Sequence, residues 1–274
     1  MQSNLTDELM RAEGLLVQEA DEEALDLLAR LAQDAEEYVD RNCPTTAEVQ
    51  WFCFPTLFER LLYRRVEQDP RELRDVGEPL DRLYADLALA YVRTGDYEGA
   101  KEALKLCVRW NPMGCAARLD LSDLFLVDGK VREALGLAFS VFERASDVKH
   151  LVRAYLVFFG WFERSGDHRS AAATLFAARR LQATDSVLSA TLDQVRGTEA
   201  DPDTLTSDEA DEVLAEQGLP EGANAEVAIC LLMCATDAAK AGDRVLATNL
   251  TLKARGLVGE AAAMALVSLI REEG

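Results

Sequence analysis

The chain has 274 residues, 49% of them hydrophobic, and a formal charge of −20 from 49 acidic and 29 basic side chains. This supplies apolar material for a sizeable core, and seven prolines amid abundant Ala, Leu, Glu, Asp and Arg favour helix over strand. Residues 1–40 hold twelve acids and two bases, residues 199–226 hold ten acids and no base, and the remainder balances at twenty-seven of each; these blocks argue against nucleic acid, which needs Lys and Arg to replace phosphate counterions.

The N-terminal stretch MQSNLTDELMRAEG lacks the basic start and apolar run of a signal peptide. No segment approaches the roughly 18 uninterrupted apolar residues of a membrane span. A soluble cytoplasmic protein with no membrane partner is expected. Residues 7–40 read as two helices, with apolar stripes Leu9, Ala12, Leu15, Leu16 and Ala24, Leu27, Leu28, Leu31. Thr45 followed by Glu48 has the spacing of a capping box before a third helix, which Pro55 should break unless a new helix starts there. Residues 1–80 are expected to form either irregular helices or degenerate repeats.

From residue 81 a repeat sets in. Gly95 in TGDYEGA, Gly129 in DGKVREA, Gly166 in SGDHRSA and Gly242 in AGDRVLA are separated by 34, 37 and 76 residues, the last close to two periods. Four residues before each glycine stand Tyr91, Phe125, Phe162 and Ala238; five residues after stand Ala100, Ala134, Ala171 and Ala247. The glycine lets one helix end in the left-handed conformation, and the alanine lets the next helix pack closely upon it. The expected fold is all-α, a solenoid of antiparallel helix pairs.

The unit from Asp81 to Pro112 resembles the tetratricopeptide repeat, through Tyr84, Leu87, Ala88, Tyr91, Ala100, Leu104 and the closing Pro112. The next two units keep Leu121 and Phe125, then Tyr155, Phe158 and Phe162, but lose the proline, and Arg118 stands where the family usually has a large apolar residue. The resemblance implies a right-handed α-α superhelix, with three repeats over 81–183, a degenerate repeat with an acidic insertion over 184–222, and a further repeat plus a C-terminal helix over 223–274. The acidic 199–226 segment, with few evident apolar anchors, is expected to be the least stable part and fastest in hydrogen exchange. Its charge suits either a solvated face or docking, to a basic partner or to the chain's own arginines.

The resemblance further implies a scaffold or adaptor that binds a protein or peptide segment in a groove lined by the first helix of each unit. Mapped residue by residue, that groove takes Arg82, Ala85, Leu89, Val92 and Arg93 from the first unit and Ala116, Leu119, Asp123, Leu126 and Val127 from the second. The third contributes Arg153, Leu156, Gly160, Glu163 and Arg164. Members that clamp a chaperone's carboxylate tail carry Lys, Asn and Arg at places taken here by Ala85, Leu89 and Asp120, so that clamp is not expected. An apolar floor with arginines at its ends suits an amphipathic segment with leucine-like anchors and an acid.

Catalytic signatures are missing from the sequence: there is no G-x-x-x-x-G-K-[ST], H-E-x-x-H, G-x-S-x-G or dinucleotide fingerprint. No enzyme activity, catalytic residue or cofactor is expected. Cys43, Cys53, Cys107, Cys115, Cys230 and Cys234 form no C-x-x-C pair, and His150 and His168 are the only histidines; no metal site is expected, and the cysteines read as small buried hydrophobes. The C-terminal GEAAAMALVSLIREEG carries Met264, Leu266, Val267, Leu269 and Ile270 where a solenoid end is normally polar, which suggests self-association as a homodimer as the rival reading.

Overall fold

The computed structural model describes the backbone of residues 2–273 and the side chains of 5–268 and 270. The fold is all-α, built from adjacent packed helix pairs, apart from two four-residue strands. Two compact units divide it, Met1–Asp128 and Gly129–Gly274.

In the first unit, helices α1 (Gln2–Val17) and α2 (Asp21–Asn42) form a pair. Their stripes Leu9, Ala12, Leu16 and Ala24, Leu27, Leu28 are buried, with acids Asp21, Glu22 and Glu23 at the positive end of the α2 dipole. The pair packs through α2 on α4 (Leu80–Thr94), although some forty residues of chain intervene. Those residues correct the expected third helix. Val49–Phe52 is strand β1, paired in parallel with β2 (Glu72–Asp75), and α3 (Leu57–Glu67) crosses over between them. The β-branched and aromatic run VQWF buries Gln50 and Phe52 in alternation, as a pleated strand does. Pro55 ends the run, and the capping box falls on Thr56 and Glu59. The Thr46 hydroxyl accepts instead from the Glu48 and Val49 amides, shaping the turn into β1. The insertion is fastened to the end of α5 (Tyr97–Trp110): the Cys53 amide donates to Trp110 O at 2.8 Å, and Arg109 donates to Trp51 O at 3.0 Å.

The TGDYEGA stretch explains itself in three contacts. Gly95 ends α4 at φ +85°, a conformation other residues resist. Asp96 caps α5 by accepting from the Gly99 amide. A Cβ at Gly99 would lie 2.9 Å from the Tyr91 ring, so this glycine lets α5 close on α4. Ala100 then sits fully buried between the two helices. Lys101 is almost fully buried and holds both Glu98 and Asp128, which ties α5 to the end of α6 (Cys115–Val127).

The second unit begins with α7 (Val131–Phe142), packed on α8 (Val148–Ser165), which pairs with α9 (His168–Arg180). The core here joins Phe142 to Tyr155, with ring centroids 4.7 Å apart, and Ala134, Ala138 and Ala171 are fully buried. α10 (Ser186–Val195) follows. The acidic segment then forms a 3-10 turn at Pro202–Thr204 and α11 (Ser207–Glu216), both packed on α9. This corrects the expectation of few apolar anchors, since Ala200, Pro202, Ala210, Val213, Leu214 and Leu219 are buried. Asp203 pairs with Arg179 and Asp211 with Arg180, so part of the acidic block docks on the chain's own arginines. The unit closes with α12 (Ala225–Lys240), α13 (Arg244–Val258) and α14 (Glu260–Glu273), which pack together, Gly256 of α13 resting against Val148 of α8. Met264 is exposed, Leu266, Val267 and Ile270 are half-buried, and the Leu269 side chain lies outside the described residues.

Candidate protein-interaction surface

The outer face of α4 follows from its helical wheel. Leu80, Leu83, Tyr84, Leu87 and Ala88 turn into the core, which leaves Arg82, Ala85, Leu89, Val92 and Arg93 on one exposed stripe. Leu89 is 41% and Val92 38% exposed. The arginines that bracket them are engaged within the unit. Arg82 is bound to Glu13 of α1 through both carboxylate oxygens. Arg93 donates to Leu16 O at 2.7 Å and to Asp21 at 3.0 Å.

Asp86 lies beside this pair. It is half-buried, and one buried carboxylate oxygen has no hydrogen-bond partner. Burial first, and the neighbouring Glu13 carboxylate second, push its pKa up to about 6, against a smaller pull from Arg82. Around the N-terminal end of α4, Asn111 donates to both Glu59 and Asp81, and the Cys53 thiol donates to Asp81 at 3.2 Å. Burial pushes the Cys53 and Cys107 thiols up to about 12, with Asp81 adding to both, so neither is a ready nucleophile. Asp120 of α6 and Asp86 of α4 also act on Cys107, which places carboxylates from both helices around one point of α5.

On α6 the register differs from the expected one. Leu119 is fully buried and lines no open surface. The exposed positions are Ala116, Asp120, Asp123 and Val127, at the i, i+4, i+7, i+11 spacing of one helix face, with Leu126 half-buried beside them. One position along a helix is 100° of rotation, which is what separates Leu119 in the core from Asp120 outside.

In the second unit, α8 brings Arg153, Leu156, Gly160 and Glu163 to a half-buried stripe that ends at exposed Arg164. The Glu163 carboxylate lies 2.6 Å from Nδ1 of His168 and raises the imidazole pKa above its ordinary value. Among the described residues no group of three or more His, Cys, Asp and Glu could hold a metal ion, and no helix is long and apolar enough to cross a membrane.

Residues 81–112, which are α4, α5 and the turn after them, match the family model described as tetratricopeptide repeat. The chain therefore carries a tetratricopeptide repeat, a module that in general serves protein–protein interaction. No curated protein matches the chain.

Proposed function

We propose that the chain is a protein-interaction scaffold that holds a peptide or protein segment against the first-helix faces of its repeats. The observation that carries this reading is the exposed Leu89–Val92 pair on α4, within the matched repeat. Apolar side chains in such a position gain free energy when a partner covers them. Ala85, Ala116, Asp123, Leu126 and Val127 extend the surface within the first unit, and Arg153, Leu156, Glu163 and Arg164 offer a second one on α8. Leu119 has no part in it.

The partner's chemistry changes with the engaged arginines. Because Arg82 and Arg93 are held by Glu13, Asp21 and Leu16 O, they do not favour a partner's acid. The chain as a whole is acidic, at −20. The segment that fits is amphipathic, with leucine-like anchors and a flanking Lys or Arg. Nucleic acid is not the proposed partner, since its phosphates meet the same net negative charge.

Selection of a displayed random-peptide library against the full chain tests this. Recovered peptides should combine apolar anchors with basic residues and lose at least tenfold in affinity for the folded Leu89→Asp/Val92→Asp variant. Peptides that bind that variant unchanged would place the site elsewhere.

A further inference from the structure

We propose that the groove between α12, α13 and α14 is the interface of a two-fold homodimer, each copy covering the groove of the other. The groove encloses about 690 Å³. Leu232 and Ala235 of α12 form its buried floor, and Ala247 and Leu252 of α13 with Met264 and Val267 of α14 form its walls. Its rims stand in water: Leu252 is 48% and Met264 65% exposed. In the other repeats the alanine after the turn, Ala100, Ala134 or Ala171, is fully buried, whereas the corresponding Ala247 is only half-buried.

The charge distribution leaves a second copy unopposed as the occupant. The chain carries −20, but residues 227–273 hold five acids and five bases. Lys240 is the charged side chain on the groove wall among the described residues. Two copies approaching through their 1–40 or 199–226 blocks would set −10 against −10, whereas approach through this neutral, apolar face meets no such repulsion. A two-fold interface uses the same patch on both subunits. The unbranched Met264 side chain adapts readily to the rim it meets. The exposed threonines at 248 and 251 satisfy their hydroxyls on their own helix, bonding Arg244 O and Ala247 O, and so add little desolvation cost.

Sedimentation equilibrium on the full chain tests the proposal. The wild type should run at twice the 30.2 kDa chain mass. Leu252→Asp/Met264→Asp should weaken the dimer at least tenfold with helical circular dichroism unchanged, since both positions are exposed. Thr251→Arg, which puts a long cation into the groove from an exposed position, should do the same. Val17→Asp, at an 83% exposed apolar residue of α1, should leave the dimer intact. A wild type that stays monomeric up to about 100 μM, where even a modest interface assembles, would overturn the proposal. So would either folded groove variant remaining dimeric, dissociation by Val17→Asp, or mass that grows beyond the dimer, which would mean head-to-tail contact.

Discussion

Replacing Asp86 by Asn should stabilise the first unit at neutral pH. Asp86 has its pKa raised from 3.8 to about 6, chiefly by burial and next by Glu13. Each unit of difference between folded and unfolded chain is about 1.36 kcal/mol, so the ionised carboxylate costs at most about 3 kcal/mol. Asp86 keeps part of its surface in water, and the expected gain for the amide is about 1–2 kcal/mol. The sign follows from the folded pKa being the higher one. The native state holds the proton more tightly, so this contribution to stability is complete below about pH 4 and is lost as pH rises through 6. The variant should therefore exceed the wild type at pH 7.5 and approach it at pH 4.5. Urea unfolding by tryptophan fluorescence, in a Trp161→Phe background that leaves Trp51 and Trp110 to report on the first unit, measures both. A lower midpoint for Asp86→Asn at pH 7.5 would mean instead that attraction to Arg82 outweighs desolvation.

Two glycines should respond to alanine in opposite directions. At Gly99 the new methyl lies within 3 Å of Asp96 and the Tyr91 ring, so the first unit should lose about 1–3 kcal/mol in the same unfolding assay. At Gly136, inside α7 with open space around it, the second unit should gain about 0.5–1 kcal/mol from helix propensity, read as a rise in melting temperature. Leu214→Ala removes a fully buried anchor of the acidic segment and should destabilise its docking on α9 by about 2–5 kcal/mol; hydrogen exchange over 207–216 should quicken, and unchanged protection would deny that the anchor holds it. His168, raised by Glu163, should titrate lower in Glu163→Gln when followed by proton NMR.

The helix pairs were legible because their signals are local. The glycine at the turn, the aspartate cap after it and the alanine five residues on lie within one short stretch, and TGDYEGA contains the whole explanation of its own hairpin. Which residues share an outer face was legible on α4 and α8, where the expected positions fall on one stripe. On α6, Leu119 and Asp120 are neighbours in sequence, and a mapping that admitted both Leu126 and Val127 could not resolve which neighbour turned outward. The counter-charges of Arg82 and Arg93 stand 69 and 72 residues earlier in the chain, and no spacing rule reaches that far. The strand at 49–52 was hidden because Thr45 and Glu48 satisfy a capping pattern that Thr56 and Glu59 satisfy as well; the aromatic and β-branched run between them, followed by Pro55, was the discriminating sign. The anchoring of 199–226 was obscured by counting its charges rather than the buried spacing of Ala210, Val213 and Leu214.

The proposed partner site is formed by the α4 and α6 faces of the first unit. Amide hydrogen exchange of the full chain, with and without a library-selected basic amphipathic peptide, tests it most directly. Exchange should slow in α4 around Leu89 and Val92 and in α6 around Asp120 and Asp123. Protection confined to other helices, with α4 and α6 unchanged at saturating peptide, would contradict it.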